Sequence, residues 1–164
     1  MAPGLPPLES MAKLVYVAGP LFSEADRMFL EHMVHALANT AGLDPLADFF
    51  LPHRDSGELR EGVSAAHIFH LDLQMLEAAD LVVALLDGQD SDSGTCVELG
   101  YAYARGKKIM GLLTDSRVST GPSAKPDRPN MMVWGICEGG RTLYRDLHSL
   151  SEAFATFIAT RGHR

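Results

Sequence analysis

Three acidic positions in this chain resist a purely structural explanation, and each has a type and setting that could do chemistry. Asp72 falls within a stretch whose apolar residues recur at helical spacing. On a wheel of about 100° per residue, Ile68, Met75 and Ala79 form one stripe flanked by Leu71 and Leu76, with Asp72 in its middle. His67, His70, Gln74 and Glu77 take the opposite side. A carboxylate turned towards a core is costly unless it is paired or hydrogen-bonded. Asp72 therefore either binds backbone N–H groups of a nearby loop or faces a ligand pocket. Asp92 lies in Asp87-Gly-Gln-Asp-Ser-Asp-Ser-Gly-Thr95, between an apolar run and a helix. The segment superficially suits calcium, but Asp92 occupies the sixth position, where an EF-hand loop needs glycine, so no metal is expected. Glu98 ends Thr95-Cys-Val-Glu98, a match to the S/T-x-x-E capping box. It either closes the helix N-terminus or, ionised in that partial positive field, serves as a nucleophile. Position alone leaves both open.

The elements that must hold these residues follow from periodicity and punctuation. Lys13–Ala18 reads as a strand stopped by Gly19-Pro20. Ser23 opens a helix to Ala41, with Phe29, Leu30, Met33, Val34 and Leu37 at helical spacing and Gly42 closing it. Leu43–Phe50 is a weaker strand or extended segment, Arg54–Ser64 a polar loop, and Ala65–Ala79 a second helix. Asp80–Leu86 is a continuous apolar run, the pattern of a strand buried on both faces. Thr95–Arg105 is a third helix ended by Gly106, Lys108–Leu113 another buried strand, and Ser116–Asn130 a long surface loop. Met131–Cys137 is expected as the last strand and Asp146–Thr160 as a terminal helix. Alternating strands and helices predict an α/β chain, a flavodoxin-like three-layer sandwich with a five-stranded, mainly parallel sheet. Ligands of such sheets sit beyond the carboxyl ends of the strands. That rule gathers Gly19–Phe22, Asp87–Thr95 and Thr114–Arg117 around one crevice.

Composition narrows the function classes. The 164 residues are 46% hydrophobic and 21% charged, which suits one globular domain over 13–164 behind a loose, proline-containing N-terminal tail at 1–12. The formal charge of −7, without a Lys/Arg run, argues against a nucleic-acid partner. No apolar run reaches the ~18–20 residues of a membrane span, and the first residues lack a secretory pattern. Two cysteines without a C-x-x-C make no disulfide framework. A cytoplasmic protein without cofactor is the resulting expectation.

Four segments, YVAGPLF (16–22), HLDLQMLEAADLVVALLDG (70–88), DSGTCVELGYAYARGKKIMGLLTDSR (92–117) and NMMVWG (130–135), together resemble the nucleoside 2-deoxyribosyltransferase family. The resemblance runs from about Leu14 to Gly135, and D-S-G-T-x-x-E-L-G-Y-A joined to N-x-M-x-W-G carries it. It implies a double displacement in which Glu98 attacks C1′ of a 2′-deoxynucleoside and forms a deoxyribosyl ester, after which a second base displaces it with retention. It further implies that Asp72 gives a proton to the departing base, that Tyr16 orients the nucleophile, and that Asp92 holds the sugar hydroxyls. Gly19, Ser93 and Gly94 belong to the matching turns, and Phe22 would flank the base. Asn130 and Met132 match positions that reach a neighbouring subunit's site, within a hexamer built from dimers. The partners implied are deoxyribonucleosides and free nucleobases. The tail through Ser10 and the C-terminal ATRGHR lie outside the resemblance.

Two other functions compete. A 2′-deoxynucleoside 5′-monophosphate N-hydrolase would use the same glutamate with water as acceptor, but Gly19-Pro20-Leu21-Phe22 offers few donors for a phosphate. A non-catalytic flavodoxin-like nucleotide-binding module would explain the crevice and not its carboxylates.

Overall fold

Val15–Ala18 forms β1, the strand on which the rest of the sheet is assembled. Its four residues are all buried, because both of its edges and both of its faces are covered. A computed structural model of the chain describes residues 14–56, 63–115 and 129–161. The expected tail at 1–12, the middle of the polar loop at 57–62, the long loop over 116–128 and the last three residues lie outside the described residues.

The chain runs from β1 to α1 (Glu24–Ala41), β2 (Phe49–Phe50), α2 (Pro52–Asp55), α3 (Ala65–Ala78) and β3 (Leu81–Leu85). It continues through α4 (Ser93–Ala104), β4 (Lys108–Leu112), α5 (Met131–Ile136), β5 (Leu143–Tyr144) and α6 (Leu147–Arg161). The strands form one parallel sheet in the order β2-β1-β3-β4-β5. Val15 is level with Leu81 and Phe49, and Leu81 with Lys108, so the strands' carboxyl ends share one edge. Strand order reverses between β1 and β3, the place where open parallel sheets receive ligands.

Side chains alternate across the sheet. Val15, Val17, Val83, Leu85, Met110 and Leu112 point to the face covered by α1 and α6. Tyr16, Ala18, Val82, Ala84 and Ile109 point to the face covered by α3, α4 and α5. The expected punctuation of α1 is present. Ser23 and Asp26 form a reciprocal capping box, and Gly42 ends the helix in the left-handed region at φ 70°.

The structure corrects three expectations. Met131–Cys137 is a helical turn, α5, rather than the last strand, with Asn130 as its N-cap and Val133 and Cys137 as its buried side chains. Those two stand four residues apart, on one side of a helix. The fifth strand is instead Leu143–Tyr144, two half-buried residues too few to announce themselves. The extended reading of Leu43–Phe50 holds only for Phe49–Phe50, because Asp44 turns the preceding chain by accepting from the N–H groups of Leu46 and Ala47.

Candidate active site

The third correction concerns where the helix that carries Glu98 begins. Helix α4 begins earlier than its Thr-x-x-Glu sequence suggests, and its N-cap is Asp92. Asp92 Oδ2 accepts from the Thr95 N–H at 2.8 Å and from the Thr95 hydroxyl at 3.1 Å. An aspartate three residues ahead is as good a cap as threonine and brings a charge that suits the helix dipole. Glu98 is thereby moved into the second turn and released from any capping duty.

Glu98 points instead at the sheet. Tyr16 is fully buried in β1 with its ring 5.4 Å from that of Phe50, and its hydroxyl donates to Glu98 Oε1 at 2.6 Å. Asp72, half-buried on α3, stands in the same cavity and accepts a short hydrogen bond from the Ser56 hydroxyl. The cavity encloses about 500 Å³, with Phe69, Leu73 and Leu76 of α3 facing Gly94, Val97 and Tyr101 of α4. Its polar floor is Tyr16, Asp72 and Glu98, and its walls are mainly apolar.

Burial governs the charges here. It pushes the Glu98 carboxyl up to about 7; the Tyr16 hydrogen bond opposes this, and the charges of Asp72 and Asp92 add to it. Asp72 is also raised by burial, against the pull of the Ser56 hydrogen bond. The Tyr16 phenol is raised by burial and by the facing carboxylates, so it remains a donor. Both carboxyls are thus biased towards the protonated form, Glu98 in part by the charge of Asp72. In the singly ionised state one can attack an electrophilic carbon while the other delivers a proton.

The remaining expected residues distribute unevenly. Gly94 lines the cavity, and Ser93 is exposed in the first turn of α4. Asp92 and Phe22 share an adjoining depression of about 320 Å³ at the carboxyl ends of β1 and β3, and Phe22 is 82% exposed. Gly19 lies beneath α1. A Cβ there would approach Leu30 Cδ2 to 2.9 Å and Leu85 Cβ to 3.2 Å, so any larger residue would make Leu30 and Leu85 give way. Asn130 caps α5 by accepting from the Met132 N–H at 2.9 Å and borders a third depression of about 380 Å³. Met132 is 75% exposed. Neither Asn130 nor Met132 lines the Glu98 cavity of its own chain. On the far side of the crevice, Asp87 accepts from the N–H groups of Thr114 and Asp115 and ties the end of β3 to that of β4.

Sequence reasoning missed two residues of this region. Ser56 was absorbed into a polar loop. Tyr101 stands three residues beyond Glu98, on the same helix face, and that spacing was the available signal. Its hydroxyl donates to Glu77 Oε2 at 2.8 Å, and Arg105 pairs with the same carboxylate. Lys107 donates to the carbonyls of Glu77 and Ala79 at 2.6 and 2.7 Å, so the ends of α3 and α4 are joined.

Comparison with known proteins adds the family context. The family model described as nucleoside 2-deoxyribosyltransferase matches residues 15–147. An uncharacterized protein of Schizosaccharomyces pombe is 28% identical over 162 residues, covering 90% of this chain and 75% of the yeast protein. A conserved protein from Enterococcus faecalis V583 superposes with a TM-score of 0.73 at 27% identity, covering 88% of this chain and 98% of its own. A 2-desoxiribosyltransferase from Leishmania mexicana shares the fold with a TM-score of 0.63 at 23% identity, over 88% of this chain and 97% of that one. So does a 2-deoxyribosyltransferase from Bacillus psychrosaccharolyticus, with a TM-score of 0.60 at 23% identity, over 84% and 89%. Among the described residues no helix is long and apolar enough to cross a membrane.

Proposed function

Because this chain belongs to the nucleoside 2-deoxyribosyltransferase family, we propose that it exchanges the nucleobase of a 2′-deoxyribonucleoside through a covalent deoxyribosyl-Glu98 intermediate. One observation carries the reading above the others. Glu98 does not cap its helix; it is held by the Tyr16 hydroxyl at 2.6 Å in a largely apolar cavity that also contains Asp72.

In the first half-reaction an ionised Glu98 oxygen bonds to C1′. The C1′–N bond breaks, its electron pair leaves with the base nitrogen, and Asp72 supplies the proton that neutralises it. In the second, the nitrogen of an incoming base attacks C1′, the ester bond returns its electrons to Glu98, and the surplus proton passes to Asp72. Two inversions leave the configuration unchanged. Positive charge developing on the sugar is met by carboxylates already fixed in place, which is where most of the rate enhancement of such sites resides. Asp92 offers its second oxygen to the sugar hydroxyls, and Phe22 flanks the base. Asn130 and Met132 enter from a neighbouring subunit of a dimer-based oligomer, which fits their absence from the lining of the cavity in their own chain.

The test is incubation of a deoxynucleoside donor with a different free base, followed by chromatography. A new deoxynucleoside supports the reading. Free deoxyribose without exchange would make the protein a hydrolase and overturn it.

A further inference from the structure

The cavity's floor rests on a residue from outside the helices that form its walls. Ser56 ends α2, the short helix after β2, and is buried to 7% exposure. Its N–H bonds to the Pro52 carbonyl at 2.9 Å, and its hydroxyl reaches across to Asp72 Oδ1. The helix beneath it is pinned. Arg54 donates to the Phe49 carbonyl at 2.7 Å, to the Pro45 carbonyl at 3.2 Å and to Asp55 at 2.9 Å. Asp55 in turn accepts from the Leu51 N–H at 3.0 Å. A planar guanidinium with several fixed acceptors loses little further freedom, which makes it a good anchor.

Arg54 and Asp55 thus fix the turn that carries Ser56 to the end of β2, and the Ser56 hydroxyl holds one oxygen of Asp72. The other walls within reach of Asp72 are apolar or carry Glu98 and Tyr16. With Oδ1 engaged by Ser56, the other carboxyl oxygen of Asp72 is the one left to a ligand in the cavity.

We propose that Ser56 is a positioning residue for the transfer reaction, its hydroxyl fixing Asp72 so that one carboxyl oxygen faces the cavity. The inference rests on the transferase reading, in which Asp72 manages the proton of the leaving and entering bases. It gives the α2 turn, which also pairs with Glu31 of α1 through His53 and Arg54, a part in the site. Because Ser56 donates to Asp72, its bond also favours the ionised carboxylate and counters the effect of burial.

The test compares Ser56→Ala and the near-isosteric Ser56→Cys with the parent and with Ser56→Thr, which keeps a hydroxyl. In base exchange both hydroxyl-free variants are expected to lose roughly 10- to 100-fold in kcat, with KM little changed, the usual range for one hydrogen bond to a charged group. The limb of the pH profile that reports Asp72 should move to higher pH, and Ser56→Thr should restore both. A second readout is independent of turnover: the Asp72 carboxyl, followed by ¹³C NMR against an Asp72→Asn control, should titrate at higher pH in Ser56→Ala and Ser56→Cys. If the Asp72 titration and the pH profile are those of the parent in either folded variant, the proposal is wrong, whether or not the rate has fallen. If the parent itself hydrolyses without exchange, the transferase reading fails, while the NMR shift still decides the Ser56–Asp72 coupling.

Discussion

The two faces of the sheet share the same strands and differ in what the helices leave between them. On the face under α1 and α6, Leu30, Met33, Val34 and Leu37 meet Leu150 and Phe154, and Phe49 stacks on Phe154 at 5.8 Å between ring centres. The hydroxyl of Ser151, buried beside them on α6, turns back to the Leu147 carbonyl at 2.7 Å. On the opposite face α3 and α4 leave a cavity between Leu73 and Val97, and the strand beneath it presents Tyr16 instead of an aliphatic side chain. The first face removes apolar surface from water, at roughly 25 cal/mol per Å². The second buries ionisable groups, which runs against folding. Both faces bury a comparable apolar cluster, and the second also sets ionisable side chains in a cavity.

Variants can break that division or sharpen it. The largest effect belongs to Glu98→Ala, which should lower base exchange by at least about 10³-fold while the circular dichroism spectrum stays that of the parent. Retained exchange would return Glu98 to a structural role. On the closed face, Phe154→Ala should cost about 3–5 kcal/mol in denaturant unfolding and leave the KM of the folded enzyme unchanged. An altered KM would mean that the faces are coupled.

A third prediction follows from the Glu98 carboxyl, whose value of about 7 lies above its ordinary 4.5. The folded chain binds this proton more tightly than the unfolded chain. The stability linked to it is therefore complete below 4.5 and is lost as pH rises through 7. Glu98→Gln has no such proton to lose. It should be more stable than the parent at pH 8 by on the order of 1–3 kcal/mol and nearly equal to it at pH 4. Melting curves at the two pH values check this, and a gap that widened towards acid would contradict it. The smallest effect is that of Tyr16→Phe. Removing a donor that lowers the Glu98 value should move the acid limb of kcat/KM upward and slow exchange at pH 6 by about tenfold, with less effect at pH 8.

The closed face was the more legible of the two from sequence. Strands such as Leu81–Leu85 are apolar throughout because both sides are covered, and α1 carries its own start and stop in Ser23 and Gly42. The open face kept part of its information in tertiary contacts. Asp72 could be singled out because it broke an apolar stripe, but its partner Ser56 sits in a segment with no periodicity to read. Around Glu98 two caps were available within four residues, Asp92 and Thr95, and only the path of the preceding loop selects the aspartate. For Met131–Cys137 a short apolar run fits strand and helix alike. Further along, beyond the run itself, Trp134 packs over Gly139 and Gly140, both at positive φ. A Cβ on Gly140 would come within 2.6 Å of Trp134 Nε1, so the turn after α5 accommodates that indole only as glycine.

The cap of α4 ties foldability to reactivity through a single atom group. Asp92 nucleates the helix that carries Glu98, and its negative charge is among those that make Glu98 hold its proton. Asparagine there would still begin the helix yet relieve the nucleophile of that repulsion, whereas alanine would fray the first turn as well. Sequence drift at this site is thus judged twice, once by how well the chain winds and once by how readily its glutamate ionises.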